Sequence, residues 1–168
     1  MKKIIIKGKR NIEGLDDTIE KKRQISKKWN NKEILNEKNH NSYVNMLYLN
    51  EKFEGSNIIL SELKNKINSY KNQDKKKKRN IDNFITYDEC LEKLVISKLR
   101  CYYCRKECLL IYKTVREQKQ WTLDRLDNSK CHSNENVVMC CLNCNLKKGT
   151  KDEKKFKFTK QMRIIKGF

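Results

Sequence analysis

The chain has 168 residues, which is enough for one ordinary domain or for a small domain with an extension, and excludes two large domains. It carries 40 Lys and Arg against 21 Asp and Glu, a formal net charge of +19, and residues 1–80 hold 21 of the basic side chains. Such a field attracts polyanions, so nucleic acid is the leading partner. An A·T-rich genome would also raise the lysine content, but it does not account for the whole imbalance.

The chain gives no sign of export or membrane insertion. Its opening MKKIIIKGKR has three consecutive apolar residues, too few for the core of a signal peptide, and no apolar run approaches a membrane span. We therefore expect no membrane partner and an intracellular location, in the cytoplasm, nucleoid or nucleus of a host. Eight cysteines in a reducing compartment favour metal binding over disulfides.

The first half of the chain is predicted to be helical. In SNIILSELKNKINSY the apolar residues recur at helical spacing, at Ile59, Leu63, Ile67 and Tyr70. The preceding SYVNMLYLNEKF is also predicted to be a helix. The run KNQDKKKKRN over residues 71–80 is too charged to be buried, which predicts a linker that is either solvated or in contact with phosphates. Residues 1–80 are thus predicted to form a basic, mainly helical extension that adds affinity for DNA.

The second half is predicted to be a mixed segment. In ITYDECLEKLVISKLR, Thr86 and Glu89 have the spacing of a capping box and precede an apolar stripe, which predicts a helix from about 87 to 99. Beyond it, QWTLDRL and NVVMC are predicted to be two short strands joined by the loop DNSKCHSNE. The segment CNLKKG then predicts the start and the end of a helix.

Two C-x-x-C pairs indicate a metal site. The first pair is Cys101 and Cys104, and the second is Cys141 and Cys144. Two such pairs complete the tetrahedral sulfur shell that zinc prefers, and a closed shell leaves no place for a reacting water. The alternatives are a redox dithiol or coincidence in a cysteine-rich chain. Cys140 adjoins a proposed ligand, but Cys141 gives the cleaner spacing, and Cys90 is predicted to be a core residue.

The order of these motifs resembles the HNH endonucleases of the ββα-metal (His-Me finger) superfamily. The resemblance covers about residues 98–150, with C-x-x-C followed by LDRLDNSKCHSNENVVMCCLNCNLKKG. It is similar to the Asp-Arg variants found in phage and large-virus genomes, whose motif is roughly LDRIDNSKGH followed by Asn and then C-x-x-C-N. The resemblance implies a hydrolase of DNA phosphodiester bonds.

The resemblance also implies a second, catalytic cation. By position in the motif, Asp124 and Asn145 would bind Mg²⁺ (or Mn²⁺), and their oxygen atoms suit such a hard ion. Asn136 would brace the loop that carries the base. The alternatives are a helix N-terminal cap for Asn145 and an ordinary turn residue for Asn136.

The sequence departs from the family where Arg125 replaces the histidine that usually activates water. Arginine stays protonated and cannot act as a base, so Arg125 is predicted to contact a phosphate or to stabilise charge in the transition state. His132 matches the histidine of the Asp-Arg variants and is the predicted general base, the alternative being an exposed loop histidine. Cys131 replaces the glycine that usually precedes it.

We therefore predict an α+β protein with a zinc-stapled ββα-metal nuclease domain over residues 81–168. Its partner would be DNA rather than a small-molecule substrate, with predicted contacts at Arg125, Lys130, Lys147 and Lys148. One such site cuts one strand, so double-strand cleavage would call for a homodimer or two successive events. RNA as the substrate, and homing, restriction and resolvase roles, stay open. The rival function is a zinc-containing DNA-binding module that has lost hydrolysis.

Overall fold

The structure is a computed structural model, and it describes residues 34–162. Five α-helices and two strands lie in this range. The helices are α1 (His40–Tyr48), α2 (Ser56–Lys76), α3 (Tyr87–Ser97), α4 (Leu142–Lys148) and α5 (Glu153–Gln161). The strands are β1 (Trp121–Arg125) and β2 (Val137–Cys141), and short 3₁₀ turns precede α1 and β2. The mixed α+β class and the order strand, strand, helix are confirmed.

The sheet is one antiparallel hairpin. Trp121 pairs with Cys141 at its open end, and Arg125 pairs with Val137 next to the connecting loop. Residues 126–136 form that loop. α4 begins directly after β2 and packs against both strands. The loop, β2 and α4 thus follow one another without interruption along the chain.

The predicted helices form, with some changes at their ends. The capping box of α3 is present: the Thr86 hydroxyl accepts from the Glu89 N–H, and the Glu89 carboxylate accepts from the Thr86 N–H. α3 ends at Ser97 because Lys98 and Leu99 adopt left-handed backbone conformations. The apolar stripe of α2 is buried as predicted. Residues 1–33, part of the predicted helical extension, lie outside the described residues.

The predicted linker over residues 71–80 is different in the structure. α2 continues through Lys76, and Asp74 within that run is completely buried. The prediction that the run is too charged to be buried is therefore wrong for Asp74. The physical reason is pairing: Asp74 meets charged and hydrogen-bonding partners from later in the chain, and a buried charge is tolerated when it is paired.

One hydrophobic core joins the two halves of the described chain. Its buried side chains come from α1, α2, α3, both strands and α5. The N–H of Leu123 on β1 donates to the Tyr70 hydroxyl on α2 at 3.2 Å. The boundary predicted at residue 80 thus separates two stretches of sequence that share a core.

Candidate functional site

Four cysteine side chains meet beside the hairpin. Their sulfur atoms all lie within 4.8 Å of one another, at Cys101, Cys104, Cys141 and Cys144. The Sγ atoms of Cys104 and Cys141 are 4.0 Å apart, close to the spacing of about 3.8 Å in a tetrahedral shell of thiolates around zinc. The two pairs therefore converge as predicted, and the donor set fits one zinc ion.

Backbone hydrogen bonds shape the two halves of this cluster. The N–H of Arg105, a residue with φ of 61°, donates to the carbonyl four residues before it and closes a tight turn. The N–H of Tyr102 donates to the carbonyl of Met139 and ties that turn to β2. Cys141 ends β2 and caps α4, where its Sγ accepts from the Cys144 N–H at 3.4 Å. A backbone N–H that donates to sulfur, as the Cys144 N–H does, favours the thiolate over the neutral thiol.

The remaining cysteines are buried and lie outside the cluster: Cys90, Cys108, Cys131 and Cys140. Cys90 is completely buried on α3, as predicted for a core residue, and burial raises the pKa of its thiol to about 12. The Cys140 thiol contacts the Thr122 hydroxyl at 3.4 Å. Cys141 rather than Cys140 is thus the second-pair cysteine in the cluster.

Asp124 is buried on β1 and already has two partners. The Tyr103 hydroxyl donates to its Oδ2 at 2.5 Å, and the Lys148 ammonium lies 3.2 Å from the same oxygen. Burial raises the pKa of Asp124, an effect that the Tyr103 hydrogen bond and the Lys148 charge oppose. Among residues 34–162, Oδ1 has only a long contact with Lys148, at 3.5 Å, so it is the oxygen better placed to bind another group.

Asn145 lies on α4 with its amide turned towards β1. Its Nδ2 donates to the Thr122 hydroxyl at 3.0 Å and to the Leu123 carbonyl at 3.4 Å. The cap of α4 is Cys141, so the alternative role of Asn145 as a helix cap is wrong. Thr122 and Asp124 are two positions apart on a strand and point to the same face. Asn145 and Asp124 therefore both lie between the hairpin and α4, and the Asn145 amide oxygen makes no hydrogen bond within residues 34–162.

His132 is buried in the loop and contacts Asp74 of α2. Its Nδ1 lies 2.8 Å from Asp74 Oδ2, and its backbone N–H donates to the same oxygen at 2.7 Å. Burial lowers the pKa of His132, and the hydrogen bond to Asp74 opposes that shift. Its Nε2 has no hydrogen-bond partner within residues 34–162. The alternative of an exposed loop histidine is wrong, since the residue is 4% exposed.

Two arginines share the other oxygen of Asp74. Arg79 Nη1 lies 3.2 Å from Oδ1, and Arg125 Nη1 lies 3.4 Å from it. Burial alone would raise the pKa of Asp74, but the bonds from His132 and the charge of Arg125 bring it below its usual value. Arg125, which follows Asp124 on the strand, therefore points to the opposite face and reaches the histidine loop.

Asn136 braces the same loop. Its Nδ2 donates to the carbonyls of Asp127 and Cys131, each at 2.9 Å, and its Oδ1 accepts from the Asp127 N–H. Cys131 directly precedes His132, so these bonds fix the backbone from which the imidazole projects. Asn136 is therefore more than an ordinary turn residue.

The three lysines predicted to contact DNA have different surroundings. Lys130 and Lys147 are exposed, whereas Lys148 is 1% exposed and bound to Asp124. The predicted phosphate contact at Lys148 is corrected, because its buried ammonium is bound to Asp124 and also donates to the Arg125 carbonyl. Lys148 lies four residues after the buried Cys144, on the inner side of α4.

The sequence prediction missed Asp74 and Tyr103. Asp74 does carry a signal, because it falls four residues after Tyr70, at the next position of the buried stripe of α2. An acid at a core position indicates a buried partner. Tyr103 lies inside the first C-x-x-C pair, and nothing in its local sequence indicates a bond to an acid 21 positions later.

No protein-family model matches the chain, and no match was found among curated proteins or among solved structures. Within residues 34–162, no helix combines the length and the apolar character that crossing a membrane requires.

Proposed function

We propose that this chain is a metal-dependent endonuclease of the HNH class that hydrolyses DNA phosphodiester bonds, with His132 as the general base. One observation carries the proposal: His132 has its Nδ1 on a buried acid and its Nε2 without a hydrogen-bond partner among residues 34–162. A neutral imidazole with a free ring nitrogen accepts a proton near neutral pH. His132 and Arg125 lie on the α2 side of the hairpin, whereas Asp124 and Asn145 lie on the α4 side. The proposal therefore requires the substrate to reach both sides at the end of the hairpin where the loop begins.

Asp124 and Asn145 are the residues that would hold Mg²⁺ or Mn²⁺. Their oxygen atoms suit a hard cation, and both side chains lie between the hairpin and α4. When bound, such an ion neutralises charge on the phosphate and lowers the pKa of a coordinated water. The Lys148 ammonium already contacts Oδ2 of the Asp124 carboxylate. It would have to remain on Oδ2, or move away, if a cation were bound by the same carboxylate.

Arg125 is the residue that would contact the phosphate. Its Nη1 bonds to Asp74 and to the Lys130 carbonyl, whereas its Nε and Nη2 donate to no group within residues 34–162. The side chain is 17% exposed. An anchored guanidinium with donors left over suits a phosphate oxygen.

DNA as the substrate is supported by charge. The chain carries +19, and exposed lysines extend from the end of α4 along α5, at Lys147, Lys151, Lys154 and Lys155. Each phosphate that these side chains neutralise releases counterions. The cysteine cluster, which fits zinc, would hold the turn after α3 and the start of α4 in place rather than take part in the chemistry.

One observation favours the rival function of a non-catalytic DNA-binding module. The buried ion pair between Lys148 and Asp124 compensates the acid without any added cation. In such a module Asp124 would be purely structural, and neither Mg²⁺ nor His132 would affect any measured activity.

Cleavage of supercoiled plasmid tests the two functions. We expect cleavage with Mg²⁺, none with EDTA, and a loss of about 10²–10⁴-fold for His132→Ala, with DNA binding nearly unchanged. Glu135→Ala is the matched control, because Glu135 is an exposed residue of the same segment. No cleavage by the folded, zinc-loaded wild type would favour the binding module, and normal cleavage by His132→Ala would exclude His132 as the base.

A further inference from the structure

Asp74 is a buried acid that belongs to neither metal site described above. It is 0% exposed, and every one of its partners comes from outside α2. Its carboxylate lies 58 positions before His132 in the chain. A residue buried with its charge must be held by the groups around it, since a buried charge without a partner is strongly destabilising.

We infer that Asp74 is a positioning residue for His132, which holds the imidazole in the tautomer that carries its proton on Nδ1 and leaves Nε2 as the proton acceptor. This inference rests on the proposed function. It gives α2, in the stretch predicted to add affinity for DNA, a role in positioning the general base.

Asp74 Oδ2 contacts His132 twice. This oxygen accepts from the backbone N–H of His132 at 2.7 Å and lies 2.8 Å from its Nδ1. A carboxylate oxygen has no proton to donate, so the short contact requires the proton to be on Nδ1. A neutral imidazole carries one N–H, and Nε2 then keeps its lone pair.

Asp74 Oδ1 lies beside two positive charges. Arg79 and Arg125 both place Nη1 near this oxygen, at 3.2 and 3.4 Å. Two guanidinium groups favour the ionised carboxylate, so Asp74 stays an acceptor. Arg79 also donates to the Asn128 carbonyl at 3.0 Å, which connects the acid to the far side of the same loop.

The His132 ring is packed against aromatic side chains. The imidazole lies against Tyr70, with centroids 4.8 Å apart and planes at 34°, and against the edge of Phe84 at 6.5 Å. The N–H of Ile85 donates to the His132 carbonyl at 2.8 Å. These contacts oppose a ring flip, which would turn Nδ1 away from Asp74.

The second histidine of the chain provides an internal reference. His40 Nδ1 accepts from the backbone N–H of Leu110 at 3.2 Å, so its proton lies on Nε2 when the ring is neutral. The chain has two histidines, and the structure assigns them opposite tautomers. A single ¹⁵N spectrum of the full chain therefore reports the tautomer of His132 together with the opposite tautomer, at His40, as a reference.

The first experiment is ¹⁵N NMR of the imidazole nitrogens in the wild type above neutral pH, with His40→Gln used to assign the signals. We expect the protonated nitrogen of His132 to be Nδ1 and that of His40 to be Nε2. A His132 proton on Nε2 would overturn the inference. This result does not depend on any cleavage activity.

The second experiment compares Asp74→Asn with Glu62→Gln, the same change on an acid three turns earlier in α2. We expect Asp74→Asn to lower kcat at least about tenfold with little effect on KM, and to add nothing to the loss in a double variant with His132→Ala. The acid limb of its pH–rate profile should move to lower pH, because the positive charges of Arg79 and Arg125 then face the ring unopposed. Tyr70 and Cys131, the other titratable neighbours, are neutral in this range.

The outcomes separate the two proposals. If His132→Ala abolishes cleavage while Asp74→Asn keeps the wild-type rate and pH limb, the inference about Asp74 is wrong and the proposed function stands. If the wild type does not cleave DNA, the proposed function is wrong, and the NMR result still decides the tautomer. If Asp74→Asn fails to fold, the wild-type spectrum alone tests the inference, because it shows which ring nitrogen of His132 carries the proton.

Discussion

The ammonium of Lys148 lies 3.2 Å from the Asp124 carboxylate, and both side chains are buried between the hairpin and α4. Lys147, the preceding residue, is exposed. Two adjacent lysines of α4 thus have opposite environments, and this difference leads to the first two predictions.

Lys148→Met should destabilise the fold by about 3 kcal/mol, because it leaves the Asp124 charge buried with one partner fewer. Urea unfolding at neutral pH measures this loss. Lys147→Met is the matched control and should change the free energy of unfolding by less than about 0.5 kcal/mol. Equal midpoints for the two variants would contradict the buried ion pair.

Lys147→Gln should weaken DNA binding and reduce the slope of log K against log salt by up to about 1, since one exposed phosphate contact is lost. Lys119→Gln is the control, because Lys119 precedes β1 at the open end of the hairpin, away from the loop, and pairs with Glu37. Binding titrations over a range of salt concentrations measure both slopes. An unchanged slope for Lys147→Gln would remove this lysine from the DNA-binding surface.

The purified protein should contain one zinc ion per chain, and Cys144→Ser should lose it together with thermal stability, since binding of the metal contributes to folding. Cys90→Ala removes an equally buried thiol outside the cluster and should keep the zinc. Metal analysis of the folded proteins distinguishes the two variants. Zinc retained in full by Cys144→Ser would show that Cys144 is not a ligand.

Acidification from about pH 7 to pH 5 should destabilise the protein. Burial lowers the pKa of His40, and a hydrogen bond with the Ile34 backbone partly offsets this shift. Burial also lowers the pKa of His132. Near pH 6.5 the unfolded chain therefore binds protons that the folded chain does not. The free energy of unfolding should decrease as the pH is lowered, by up to about 1.4 kcal/mol per pH unit for each histidine.

His40→Gln should reduce that pH dependence by about one proton, because the Gln side chain can still accept from the Leu110 N–H but does not titrate. Unfolding free energies at pH 5, 6 and 7 provide the comparison. A variant with the same slope as the wild type would show that His40 titrates normally in the folded chain.

Local patterns predicted most of the elements and the cysteine cluster. The spacing of apolar residues predicted α2, the Thr86–Glu89 pair predicted the start of α3, and the cysteine spacing predicted the four residues that converge. The helix signals and the spacing within each C-x-x-C pair lie within a few residues, where helix geometry or chelation fixes the relation between side chains. The meeting of the two pairs across 37 positions was predicted from the four ligands that zinc prefers.

The contacts of the site could not be predicted in the same way. Asp74 and His132 meet across 58 positions, and only the tertiary arrangement of α2 and the hairpin brings them together. Composition was also misleading, because Asp74 stands among lysines that are exposed. Charge alone likewise could not distinguish Lys147 from Lys148, whose environments depend on which side of α4 faces Asp124.

The core shared between α2 and the hairpin limits how this protein can be engineered. A chimaera that grafts residues 81–168 onto a foreign DNA-binding domain would remove Ile59 and Leu63 from the core that they share with Trp121 and Leu123. It would also lack the acid that bonds to His132. The transplantable module therefore begins before α1, and fusions should not be made at the lysine run.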